Sequence, residues 1–309
     1  MSGRINARPA PTAGGNGHSR RRARPNLAPP ETLIVPALAR LSLRSLLTGR
    51  RIAMAALVSA IPLLLAGVLI AADASDDERG GAFTANMVEP IALLVVGATV
   101  PFIAMLLAGS IVADDVEDRT FSYILVRPLR RRQVYLSRLL PAAVVVACLA
   151  AIQVVAFALL RFISWAIYGQ GSQTSFTAGG VRHTMPTWQL MLEQAGLGVV
   201  AAVLAGIAFL ALFSFVTLLT TRYHFLANVL TFASVELLFG NIGGQGAGIV
   251  TITYHARSLL MAVGPSNGFY HPAPWWLAAP VLLAMAALWT WAATWQVRRR
   301  DFNVTSAAS

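Results

Sequence analysis

The chain contains no lysine; all 24 of its basic residues are arginine. A Walker A phosphate loop needs a lysine to reach the β- and γ-phosphates. A conventional P-loop ATPase is therefore excluded, and any ATP-driven work falls to a partner subunit. Cysteine occurs once, at Cys148, which excludes an intramolecular disulfide and a cysteine-rich metal site. Lying inside an apolar run, this thiol reads as a small buried hydrophobe. Charge is scarce too. Soluble domains carry about a quarter charged residues, whereas this chain has 12% charged and 56% hydrophobic residues over a length of 309. That balance places it among integral membrane proteins.

Histidine is also sparse: His18, His183, His224, His255 and His271. No two of them sit four apart within an apolar span, so a buried haem or an HExxH metal site finds little support. "GPSNGFYH" (264–271) juxtaposes Ser266 and His271. A Ser–His hydrolase would need both on facing helices in a water-filled cavity, and these lie outside the apolar core. The residues point to no catalytic group, no metal and no cofactor in this chain.

What is present is apolar sequence in long runs. A hydrocarbon core of roughly 30 Å takes about 20 helical residues. Candidate spans are 52–72, 88–113, 139–164, 189–221, 224–240 and 275–296. The fourth exceeds one crossing and must tilt, break or extend beyond the bilayer. The fifth is about as short as a span can be, and the glycine-rich 240–248 stretch ends it. Residues 249–264 are apolar again but carry His255 and Arg257; they read as a short re-entrant or interfacial segment outside the core. The fold class expected is all-α: a polytopic membrane protein with six transmembrane helices over residues 31–300.

Residues 1–30 are rich in Pro, Gly, Ala and Arg and read as a disordered basic tail. "SRRRARP" (19–25) is followed by no apolar region at the distance a twin-arginine export signal requires. "LIVPALARLSLRSLLTGRR" (33–51) mixes leucines with Arg40, Arg44, Arg50 and Arg51 at helical spacing, the pattern of an amphipathic helix lying in the membrane interface. The alternative is an ordinary basic flank of the first span. Arginine clusters in the N-terminal tail, in 114–138, at Arg222 and at 298–300, whereas the 73–87 loop is acidic. The positive-inside rule then puts both termini and 114–138 in the cytoplasm, with 301–309 as a second cytoplasmic tail. Trp165, Trp188, Trp275 and Trp276 fall at the outer interface and Trp295 at the inner one.

One loop holds most of the remaining acid. Asp114, Asp115, Glu117 and Asp118 follow the second span and precede "RTFSYILVRPLRRR" (119–132). Acids before a helix complement its positive N-terminal end, and Asp118 or Thr120 can serve as N-cap. Phe121, Ile124 and Leu125 share one face. Pro128 disfavours helix at Arg127 and can open the next helix into the third span. A positive-inside loop facing lipid accounts for the arginines. It does not account for four acids beside anionic lipid, nor for an apolar face, so the segment reads as a docking element for a partner protein.

"SIVADDVEDRTFSYILVRPLRRRQVYLSRLL" (110–140) resembles the first cytoplasmic loop of type-2 ABC transporter permeases, with its acidic start, threonine, Arg-Pro and basic entry to the third helix. Asp115 stands for the leading acid, and Thr120, Arg127 and Pro128 match. Arg119 replaces the usual glycine and Arg138 the usual lysine. "LARLSLRSLLTGRR" is similar to that family's elbow helix, and "VELLFGNIGG" (235–244) to its "W-E-x-L-x-x-N" region. The resemblance covers roughly 33–300. It implies an exporter permease in the plasma (inner) membrane, with two permease subunits, identical or not, and two separate ATPases that bind ATP and Mg. The cytoplasmic loop would then be a coupling helix. The competing readings are a membrane-embedded enzyme or electron-transfer anchor, and an ATPase-linked mechanotransmission or assembly complex without export.

Polar residues inside spans are costly and are functional candidates by default. Arg161 and Glu193 lie near the outer boundary on adjacent spans and are expected to pair or to snorkel. Glu236 either lines an exit vestibule or caps the glycine-rich turn. Gln153 and Asn228 are candidates for interhelical hydrogen bonds. Pro62, Pro101 and Pro280 can kink their helices.

Overall fold

The structure, a computed structural model, describes residues 34–48, 50–75, 88–117, 130–168, 173–178, 181–220, 223–239, 248–263 and 273–299. Helix α1 (Pro36–Thr48) is followed by α2 (Arg50–Ser75). Their segments Pro36–Leu47 and Ile52–Leu65 meet at a bend of 59°. After one turn at Val88–Pro90 come a π-helical stretch (Ile91–Thr99) and α3 (Val100–Glu117). The wide turns fall just ahead of Pro101. Proline has no N–H to donate, and the Val100 N–H already reaches back five residues to Val95 O.

Helix α4 (Arg131–Tyr168) is the longest element. A two-stranded antiparallel hairpin follows, β1 (Gln173–Ala178) with β2 (Val181–Pro186), its register running from Gln173↔Pro186 to Ala178↔Val181. This adds strand to a fold expected to be wholly helical. The sequence carries its signal: the two residues between the strands are both glycine, a favoured hairpin connection. Next come α5 (Thr187–Leu219), α6 (His224–Thr231) with a second π-helical stretch (Phe232–Phe239), α7 (Ile252–Leu260), and α8 (Trp275–Arg299).

Among the described residues, four helical stretches are long and apolar enough to cross a bilayer: Ile91–Ile111, Arg131–Ile167, Thr187–Leu219 and Trp275–Arg299. The bent α1–α2 pair makes a fifth if counted as one. The protein is a multi-pass membrane protein. The first, second, third, fourth and sixth expected spans correspond to α2, Ile91–Glu117, α4, α5 and α8. The fifth does not stand alone. His224–Phe239 would rise only about 24 Å at 1.5 Å per residue, short of the roughly 30 Å core.

Helix α5 is the axis of the bundle, packing against α3, α4, α6, α7 and α8. Its buried faces are lined by small residues such as Gly198, Ala201, Ala202, Ala205 and Gly206. Small side chains let backbones approach closely where lipid supplies no hydrophobic drive between helices. A Cβ placed on Gly206 would lie 2.7 Å from Val146 Cγ1 and 3.2 Å from Val100 Cγ1, so α4 and α3 meet α5 at this point. The opposite face of α4 is the outward one: Leu140, Val144, Ile152, Val155 and Leu159 are exposed. Cys148 belongs to that stripe and is exposed, which corrects the expectation of a buried thiol. An all-apolar run does not reveal which of its faces turns outward.

Helix α7 is also placed differently from expectation. Instead of lying outside the core, it packs on α5, α8 and the first π-helical stretch. Ile252, His255, Ala256, Ser258, Leu259 and Leu260 are buried. Its polar groups find partners there: His255 Nε2 donates to Ile249 O (2.7 Å), and Ser258 Oγ accepts from Ala273 N (3.0 Å).

Candidate functional site

The charged loop is seen from its two flanks. Helix α3 continues to Glu117, so Asp114, Asp115 and Glu117 belong to its last turn. They sit at a C-terminal end, where the macrodipole disfavours negative charge by about 0.3–1 kcal/mol each; the helix expected to follow them lies outside the described residues. Asp118, Thr120, Phe121, Ile124, Leu125, Arg127 and Pro128 lie outside the described residues.

On the far flank, the first turns of α4 form a hub. Gln133 Oε1 accepts from Arg130 N (3.0 Å) and caps the helix start. The Tyr135 hydroxyl lies 2.7 Å from Ser214 Oγ near the end of α5. Ser137 Oγ accepts from Val35 N (2.8 Å) at the start of α1, and Arg138 Nη1 donates to Ile111 O (3.2 Å) on α3. Four consecutive residues of α4 thus include ties to three other helices. Of these, sequence reading singled out only Arg138, as a match to a basic position. Hydroxyls at the end of an apolar run are too common to stand out.

Of the intramembrane candidates, three sit in buried polar pairs or clusters. Gln153 is 1% exposed, and its Oε1 lies 3.1 Å from Thr99 Oγ1, where the π-helical stretch ends. Its Nε2 has no hydrogen-bond partner among the described residues. Asn228 Nδ2 donates to Thr217 Oγ1 (3.1 Å) and pins α6 back along α5. Phe209 and Phe232 meet edge-on farther along the same pair, with ring centroids 6.0 Å apart. The Glu193 carboxylate accepts from Gln189 Nε2 on its own helix (3.1 Å), while Arg161 is 1% exposed inside the bundle rather than snorkelling to its rim.

Glu236 is the most elaborated of the set. It is 2% exposed and lies within the second π-helical stretch; such wide turns recur at functional sites. Its Oε1 accepts from Ile252 N (2.9 Å), and its Oε2 accepts from Thr253 N (3.0 Å) and Thr253 Oγ1 (2.6 Å). Thr251, the N-cap residue, takes the Tyr254 N–H (3.3 Å), and its own N–H reaches Gly248 O (2.9 Å). The open N-terminal donors of α7 are thereby satisfied, two of them by a carboxylate from another helix.

Glu236 also lines a pocket of about 170 Å³ between α5, α6, α7 and α8. Phe215 of α5 and Trp289 of α8 form its aromatic wall, with ring centroids 5.5 Å apart. Met285 lies on the α8 side, and Val250, 70% exposed, stands at the rim. Sequence reading found the carboxylate because it interrupts an apolar run. The aromatic wall could not be found that way, since Phe215 and Trp289 look like any other membrane aromatics.

Residues 73–301, well over half of the chain, match a protein family described as Protein of unknown function (DUF2705). No curated protein matches the chain.

Proposed function

The chain belongs to that family, and from this premise we propose that it is the membrane-spanning permease subunit of an exporter driven by a separate ATPase. Six crossings are made by α2, Ile91–Glu117, α4, α5, the α6–α7 pair and α8. The fifth crossing is then a broken helix, with α6 covering the inner part and α7 the outer. Both termini and 114–138 face the cytoplasm of a plasma (inner) membrane, following the arginines. The bend at α1 is that of an elbow helix in the interface. Two such subunits, identical or not, pair with two ATPases that bind ATP and Mg.

The observation that carries this reading is the hub at the start of α4. Whatever moves the start of α4 moves Tyr135, Ser137 and Arg138, and through them α5, α1 and α3. The acids in the last turn of α3 add support. They sit where the helix itself disfavours them, which makes sense if an outside partner supplies the compensating charge.

The test is purification from mild detergent, with copurification of a P-loop ATPase expected. The double substitution Asp115→Arg with Glu117→Arg should lower the coupled ATPase rate about tenfold or more, since like-charge contacts at an interface cost several kcal/mol. Normal coupling in that variant would remove the docking role. ATPase activity without flux in sealed vesicles would favour mechanotransmission over export.

A further inference from the structure

Glu236 is a carboxylate in the middle of a membrane bundle. The depth follows from α8, where Met285 and Trp289 lie ten and fourteen residues past Trp275, or about 15 and 21 Å along the axis. Its partners are Ile252 N, Thr253 N and Thr253 Oγ1. None of the residues that line the pocket with it is cationic. A carboxylate offers about four lone-pair sites, and three are filled. An ionised carboxylate buried without a counter-ion is expensive, and Glu236 is among the residues that line this pocket.

The remainder of that cavity fits a cation. Phe215 and Trp289 present their rings on one side, and aromatic faces attract ammonium groups, Trp most strongly. Leu212, Val235 and Ile252 supply apolar walls. The volume of about 170 Å³ is close to the roughly 150 Å³ that suffices for benzene. We infer that this pocket binds a small lipophilic organic cation, an ammonium on an apolar or aromatic body, with Glu236 as counter-ion and Phe215 and Trp289 against the charge. Its role as a transport site rests on the permease reading; the binding itself does not.

The experiment uses the full chain, without ATPase, in phosphatidylcholine nanodiscs, and compares phenethylammonium with its neutral counterpart 2-phenylethanol by equilibrium dialysis against empty nanodiscs. The ammonium is expected to bind about tenfold tighter or better. Glu236→Gln, which keeps an acceptor for the α7 cap, should erase that preference. Thr253→Val weakens the cap but leaves the charge, and should retain it. Met285→Trp, which fills the cavity from α8 without touching the cap, should abolish binding of both probes. Equal affinities in the unmodified chain, a preference surviving in Glu236→Gln, or binding unaffected by Met285→Trp would each overturn the inference. If Glu236→Gln does not fold, the comparison of the two probes and Met285→Trp still decide it. Failure of an ATPase to copurify would strike the permease reading and leave this binding site standing.

Discussion

Tyr135 and Ser214 share one hydrogen bond, yet truncating one is not equivalent to truncating the other. Ser214 Oγ also reaches Ala211 O on its own helix (2.9 Å). In Tyr135→Phe the serine keeps that second partner, and only the net value of the bond is lost. In membrane bundles that value averages about 0.6 kcal/mol. Ser214→Ala instead leaves the Tyr135 hydroxyl, 1% exposed, with nothing to bond, and an orphaned buried polar group costs about 1–3 kcal/mol. Unfolding of the purified chain in mixed detergent micelles should therefore show Ser214→Ala as the more destabilised variant. Equal losses would mean that the pair is not the tie between α4 and α5 described above. The same reasoning explains what was legible at this scale. Gln153, Asn228 and Glu236 announce themselves because they interrupt apolar runs. Their partners Thr99, Thr217, Ile252 and Thr253 are distant in sequence or are backbone groups, which no residue pattern marks.

At the scale of elements, the close approach of α4 and α3 to α5 at Gly206 depends on a missing side chain. A methyl at Gly206 would stand 2.7 Å from Val146 Cγ1, and valine, branched at Cβ, has little rotamer freedom to yield. Gly206→Ala should cost about 1–3 kcal/mol as an overpacked contact. Gly196, ten residues earlier on the same helix, has nothing within 4 Å of its Cβ position. Gly196→Ala should be neutral or stabilise by up to about 1 kcal/mol, as alanine is the better helix former. A loss in Gly206→Ala with none in Gly196→Ala is the expected result of one unfolding assay; comparable losses would refute the packing account. Run length alone made α4, α5 and α8 readable. The fifth expected span was harder, because the helix there is short and a glycine-rich stretch follows it. Helix α7 was misplaced for a related reason. His255 and Arg257 suggest an interface when read as isolated polar residues, but His255 is bonded inside the bundle to Ile249 O.

For the molecule as a whole, orientation is the property on which the proposed function depends most, and α4 gives it a direct test. The helix segment Arg131–Ile167 is about 55 Å long at 1.5 Å per residue, nearly twice the hydrocarbon thickness. On the proposed topology it crosses once and projects beyond the core. Arg130, exposed just before it, and Thr184, exposed on β2 just after it, must then lie on opposite faces. The arginines around 130–132 put Arg130 inside. In a Cys148→Ser background, which removes the only native thiol, single cysteines at these two positions should react with an impermeant maleimide from opposite sides. In intact cells Thr184→Cys should label and Arg130→Cys should not, and inverted vesicles should reverse the pattern. Labelling of both from one side would show that α4 does not span the membrane. The reversed pattern would place the acid-to-arginine loop outside, where no ATPase could reach it, and the permease reading would fall with it.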